Sequence, residues 1–328
     1  MKATLTRLEA ADFINRSFKP LPRAYGDALV AAARTDERIV TLCADLTFPT
    51  ETEAFRDELP ERFHNVGIAE ANMIGMAGGM ARSGEIPFCH SFSAFITKRV
   101  LDQITMQVAY PNLPVKLVGF LPGITTILGV SHQAIEDLAI MRAVPNIAIF
   151  EASGPEYHAA MVKLALDWDG PAYLRIKRPE TAPPDFAHQT LEIGKGVLRR
   201  DGGDVAIIAA GLCVGESLRA AEQLAGEGIA ARVVDMASIK PIDRDSILQS
   251  AAETGAIVTA ENHGIIGGLG SAVAELLMDE GIGLPFKRVG VQDQFCEGGT
   301  TPYLMRKFGL DAPAIADAVR GVMKKKKG

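Results

Sequence analysis

The 328-residue sequence is poor in cysteine, and the four it has (Cys43, Cys89, Cys213, Cys296) stand far apart. No CxxC pair or Cys/His metal spacing occurs, which excludes a disulfide scaffold and a cysteine-built metal centre. The four thiols read as small buried hydrophobes in a reducing compartment. Long apolar runs are also missing: the longest, such as 205–212, are too short to span a bilayer. The first twenty residues carry Arg7, Glu9, Asp12, Arg16 and Lys19, leaving no apolar core for a secretory signal. With a net charge of −6 and no basic stripe interleaved with aromatics, nucleic acid is not the expected main partner. A P-loop, a GxSxG elbow and an HExxH pair are equally absent. The expectation is a soluble, cytoplasmic, globular chain long enough for two domains.

What is present is alternation. Strand-like runs at 39–43, 86–90, 115–120, 147–150 and 172–176 are separated by helical patterns at 70–81, 94–110, 134–143 and 155–166. That order predicts an α/β fold with a parallel sheet covered on both faces. Residues 179–190, with Pro179, Pro183 and Pro184, break the pattern and read as a linker. A second series follows, with strands at 205–209, 231–234 and 256–260 and helices at 216–224, 243–252 and 269–277. The predicted organisation is an arm (1–22), a doubly wound domain (23–178), a linker (179–191) and a second doubly wound domain (192–328). In the arm, Leu5, Leu8, Phe13, Ile14 and Phe18 could line one helical stripe before Pro20 and Pro22 stop it. That stripe could pack on its own domain or on a partner. The terminal run from Lys324 to Lys327 reads as a solvated tail.

Glu70 is the most informative residue. It is the only charge between Gly67 and Ala81, on a helix whose Gly75, Ala77, Gly78 and Gly79 permit close approach of another backbone. No basic residue lies within a helical turn, so the carboxyl is expected to be desolvated, unpaired and suited to sharing a proton with a ligand. The alternative is an acid in a helix's first turn, favoured by the dipole and wet on one side. His132 follows Ser131, which could cap a helix and place a neutral imidazole at its start, beside a cleft at a strand's carboxyl edge. A lone histidine can equally be structural. His90 ends a strand just before Phe92 and Phe95. The Gly264–Gly270 run does not have GxGxxG spacing and reads as a tight turn with close helix–sheet packing.

Several segments, in order, resemble the transketolase family. They are Ala44-Asp45-Leu46-Thr47, the run from Phe63 to Met73, and Ser131-His132-Gln133-Ala134-Ile135-Glu136-Asp137. Ser238-Ile239-Lys240-Pro241-Ile242-Asp243 and the run from Thr259 to Gly270 continue the likeness over nearly the whole chain beyond the arm. More narrowly, the chain resembles the C-terminal subunit of a split, two-chain transketolase, a pyrimidine-binding domain of the thiamine-diphosphate-binding fold followed by a transketolase C-terminal domain. The resemblance implies that Glu70 hydrogen-bonds the pyrimidine ring of thiamine diphosphate and promotes the tautomer that takes the thiazolium proton. It implies that Phe92 and Phe95 pack on that ring, that Asp45 stands near the thiazolium and that His132 handles a substrate hydroxyl proton. In full-length members an N-terminal Gly-Asp-Gly…Asn segment holds the diphosphate through a divalent metal, and no such segment occurs here. The resemblance therefore implies a companion subunit carrying that site with Mg²⁺, in a two-plus-two complex joined through paired pyrimidine domains.

The chain also departs from the family pattern. Leu128 falls where an aspartate normally contacts the C2 hydroxyl of a sugar acceptor, a contact worth about 0.5–1.5 kcal/mol. Pro49 falls where a phosphate-binding serine often sits, although Arg23 and Arg178 could supply charge. Lys98 stands where transketolases often place an aromatic against the cofactor. These departures point to an acceptor other than an ordinary pentose phosphate. They also keep open an α-keto acid donor, as in a deoxyxylulose-phosphate-synthase-like enzyme or an oxoacid dehydrogenase β subunit. A non-catalytic assembly subunit is the remaining alternative. The C-terminal domain shows no catalytic constellation and is expected to be structural and interface-forming.

Overall fold

The computed structural model describes residues 23–177 and 190–327; the arm, Arg178 and most of the expected linker lie outside the described residues. The strands are β1 (Ile39–Cys43), β2 (Phe63–Asn65), β3 (Ile86–Phe92), β4 (Lys116–Phe120), β5 (Ala148–Glu151), β6 (Ala172–Ile176), β7 (Val197–Arg200), β8 (Val205–Ala209), β9 (Ala231–Asp235), β10 (Ser238–Lys240), β11 (Ile257–Gly264) and β12 (Phe286–Val291). They form a seven-stranded sheet in the order β10-β5-β6-β4-β3-β1-β2 and a five-stranded sheet in the order β12-β11-β8-β9-β7. Helices cover both faces, so central strands such as β4 and β8 are buried along their whole length. The Leu212–Ala225 helix shows the matching helical logic. It buries Cys213, Val214, Ser217, Ala220, Ala221 and Leu224, a stripe at three- and four-residue spacing. All four cysteines are free and buried. No helix among the described residues is long and apolar enough to cross a membrane.

Two parallel sheets were expected; their interlocking was not. β10 leaves the second unit and pairs antiparallel with β5, Ser238 opposite Phe150 and Lys240 opposite Ile149. Lys240 Nζ then donates to Arg142 O (3.0 Å) and Val144 O (2.6 Å), tying that edge down. Below this seam, Arg175 on β6 is fully buried. It donates to Asp137 through Nε (2.8 Å), to Glu151 through Nη1 and to the backbone O of Asn262 on β11 (3.0 Å).

Three local expectations are corrected. The helix read over 94–110 is broken into Ser93–Ile96, a 3-10 turn at Lys98–Val100, a single turn at Leu101–Gln103 and a π-helical stretch at Ile104–Ala109. β-Branched Ile96, Thr97 and Val100 are stiff in a helix, and the Thr97 hydroxyl bonds back to Ser93 O (2.7 Å). The helix read over 134–143 begins only at Asp137. Its N-cap is Glu136, so Ser131, five residues earlier with its hydroxyl on His132 Nδ1 (2.9 Å), does not cap it. The terminal lysines are solvated, Lys324 to Lys326 being exposed, but they form no tail: the last helix runs Ala312–Lys327, and Lys326 Nζ donates to Asp204 O (2.9 Å) and Thr254 O (2.6 Å).

Candidate active site

Strand order reverses at β1. Its connection to β2 steps one way, while β3 and β4 lie on the other side, so a crevice opens outside the carboxyl ends of β1 and β3. Asp45 follows β1, Phe92 ends β3 and Phe95 follows it. Glu70 opens the Glu70–Arg82 helix that comes after β2. This helix packs closely on the π-helical stretch, since a Cβ at Gly78 would lie 2.8 Å from Gln107 O. The small residues seen in the sequence thus fix where the helix start, and Glu70 with it, can sit.

Glu70 is only 2% exposed and at the positive end of its helix dipole. The expectation of an unpaired carboxyl is corrected. Ser91 Oγ donates to Oε1 (3.1 Å) and Arg99 Nη1 donates to Oε2 (2.8 Å). Arg99 arrives from the broken segment after β3, 29 residues away in sequence, which is why no local search finds it. Its guanidinium also stacks over the Phe95 ring, 4.1 Å from the centroid. Phe92 and Phe95 lie 5.9 Å apart, and the His132 ring meets both edge-on, at 6.1 and 5.2 Å. Glu70, Phe92, Phe95 and His132 are therefore one cluster, with Ser91 and Arg99 as members that the sequence reading missed. The four-residue spacing from Phe95 to Arg99 was the available signal on the helix read over 94–110; in the structure the two residues meet across the break at Thr97.

His132 is half-buried, and its pKa lies below the ordinary imidazole value, first through desolvation and second through the Arg99 charge. The imidazole is neutral at pH 7. Ser131 Oγ engages Nδ1 (2.9 Å), so Nε2 is the ring nitrogen outside that hydrogen bond. Replacing Arg99 by methionine removes the repulsive cation, so the His132 pKa is expected to rise toward its ordinary value. Histidine-resolved NMR titration checks this; an unmoved His132 would mean that burial alone sets the shift.

The remaining candidates share no hydrogen bond, ion pair or ring contact with this cluster among the described residues. Asp45 is exposed, in the left-handed region (φ 56°), and is held by Asn65, which donates from Nδ2 to Oδ1 (3.1 Å). Lys98 is exposed and ion-paired with Glu136, tying the segment after Phe95 to the segment after His132. Arg23 pairs with Asp27 (3.5 Å) at the start of the Ala24–Ala33 helix. Leu128 is 54% exposed on the loop carrying His132, and Pro49 is half-buried. Buried His90 is structural: it bonds Tyr25 OH (2.8 Å) and Leu42 O (3.1 Å), and burial pushes its pKa down to about 4.

Comparison with known proteins gives the family. The family described as "Transketolase, pyrimidine binding domain" matches residues 20–183, and "Transketolase, C-terminal domain" matches residues 194–315. The chain is 47% identical over 303 residues to the 6-deoxy-6-sulfo-D-fructose transketolase subunit SqwH of Clostridium sp. (strain MSTE9), covering 92% of this chain and 94% of that one. It is 39% identical over 302 residues to 1-deoxy-D-xylulose-5-phosphate synthase 1 of Geobacter sulfurreducens, covering 91% of this chain but 47% of that protein. A solved structure described as a split gene transketolase, inactive beta4 tetramer, superposes with a TM-score of 0.85 at 44% identity, covering 93% of this chain and 98% of that chain. The chain belongs to the transketolase family, and it has the domain pair and the extent of the C-terminal subunit of a split transketolase.

Proposed function

We propose that the chain forms the pyrimidine side of a thiamine-diphosphate-dependent active site that moves a two-carbon ketol unit from a ketose donor to an aldehyde acceptor. The observation that carries this is the convergence of Glu70, Phe92, Phe95 and His132 at the crevice of the first sheet. A buried carboxylate beside two aromatic rings suits an aminopyrimidine, offering apolar faces for the ring and an acceptor for its protonated nitrogen. Thiamine diphosphate, when bound, supplies the nucleophilic carbon and the electron sink.

The chain's own residues do the rest. Glu70 holds a proton at the pyrimidine nitrogen, and Ser91 and Arg99 keep its carboxylate oriented. Phe92 and Phe95 exclude water from the ring, and Asp45 and Lys98 stand at the outer part of the cofactor site. His132, neutral at pH 7, takes the proton of a substrate hydroxyl and returns it. A companion subunit holds the diphosphate and Mg²⁺, in a two-plus-two complex. The related structure described as an inactive beta4 tetramer supports both self-association and the need for a companion.

Exposed Leu128 and Val130 make the loop tip apolar, which suits an acceptor with fewer hydroxyls than a pentose phosphate. Arg23 and Arg178 remain the candidates for an anionic terminus. The related subunit's substrate name makes 6-deoxy-6-sulfo-D-fructose the first ketose donor to try.

The test is hydroxypyruvate turnover by the chain alone and with its co-purified companion, with thiamine diphosphate and Mg²⁺ present. Turnover only in the mixture is expected. Activity of the chain alone would overturn the two-subunit reading, and preference for pyruvate would move the enzyme to the α-keto acid class. In an acceptor screen, short apolar aldehydes are expected to outperform ribose 5-phosphate; full turnover of ribose 5-phosphate without such a preference would remove the role given to Leu128.

A further inference from the structure

The loop that bears Leu128, Val130 and His132 is closed at its root by a two-residue bridge. Gly123 N donates to Ala134 O and Ala134 N donates to Gly123 O, each at 3.0 Å. The second unit then grips this root. Asn262 on β11, 1% exposed, accepts from Ile124 N through Oδ1 (3.0 Å) and donates from Nδ2 to Pro122 O (3.0 Å). Its own backbone O is held by Arg175, and the neighbouring Gly264 N donates to Ile135 O (2.7 Å). Position 123 must be glycine for this grip: its φ is +62°, and a Cβ there would lie 2.2 Å from Asn262 Oδ1. A second grip lies beside the histidine, where Gln133 Nε2 donates to Glu297 O (2.9 Å) from a side chain that is 3% exposed.

We infer that the C-terminal domain positions His132, with Asn262 as the positioning residue at the loop root and Gln133 as its second anchor. The amide is the group the geometry calls for, because one side chain must accept from Ile124 N and donate to Pro122 O at once. Alanine at 262 leaves the buried Ile124 N–H without its partner and removes the side-chain grip of the second sheet on the loop root, although Pro122 O keeps Thr125 Oγ1 (2.6 Å) as a donor and Gly264 N still holds Ile135 O. His132 then leaves the place where Phe92 and Phe95 fix its ring, and a displacement of about 1 Å is enough to damage a proton transfer. The kinetic half of this inference rests on the role proposed for His132; the structural half does not.

The experiment therefore reads the two halves separately, on Asn262→Ala and Gln133→Ala chains assembled with the companion. By hydrogen–deuterium exchange mass spectrometry, amides in 121–136 are expected to exchange at least about tenfold faster in either variant, with β1, β3 and β4 unchanged. Donor turnover is expected to fall on the order of 10²-fold in kcat for Asn262→Ala, with the donor KM within about threefold of wild type. Unchanged exchange in 121–136 overturns the positioning role whatever the activity. Faster exchange with unchanged kcat overturns the catalytic meaning of that position and counts against His132 as well. If Asn262→Ala does not fold, Gln133→Ala, which loses one hydrogen bond at the other end of the loop, gives the same readings alone.

Discussion

Glu70→Gln is expected to lower turnover of the reconstituted enzyme by roughly 10²–10⁴-fold, the range that general acid–base groups contribute. Glutamine keeps the size of the side chain and can still accept from Ser91 Oγ, so the helix start and its packing on the π-helical stretch are undisturbed. What is lost is the charge. An amide cannot hold a proton at a ring nitrogen as a carboxylate can, and Arg99 loses its anionic partner. Arg99 is 44% exposed, so breaking that pair costs about 1 kcal/mol or less in stability. The comparison needed is kcat against melting temperature for the same preparations. Turnover within about threefold of wild type, with folding intact, would favour an assembly subunit over a catalytic one.

Arg175→Met should be the most destabilising single change, by about 3–5 kcal/mol, because it leaves Asp137 and Glu151 buried without their shared cation. Tyr173 OH still donates to Asp137 (2.7 Å), but among the described residues Glu151 has no side-chain donor besides Arg175. The same cluster makes stability depend on pH. Burial pushes Glu151 up to about 7, although Arg175 opposes the shift. An acid whose folded pKa lies above its unfolded value of about 4.3 binds more protons when folded. Its contribution is therefore fully present below about pH 4.3 and is lost as pH rises through about 7. Glu151→Gln should flatten this part of the curve of unfolding free energy against pH. Urea melts between those limits decide it: an identical slope in wild type and Glu151→Gln would show that Glu151 ionises without cost in the fold.

The candidate site was partly legible in the sequence because some of its chemistry is local. Glu70 stands alone among small residues, Phe92 and Phe95 follow a strand, and His132 follows a glycine-bearing stretch; each is visible in a window of a dozen residues. The alternation of strands and helices likewise determined the α/β class, since periods of two and 3.6 residues are set by backbone geometry and local side-chain order. Tertiary structure alone decided what those residues touch. The partner of Glu70 comes from Arg99, the grip on the His132 loop from Asn262 and Glu297, and the seventh strand of the first sheet from Ser238–Lys240 in the second unit. Each of these joins segments far apart in sequence or depends on where a helix breaks. The physical reason is that buried polar groups take whichever partner the packed sheets bring within about 3 Å, and chain periodicity carries no record of that choice.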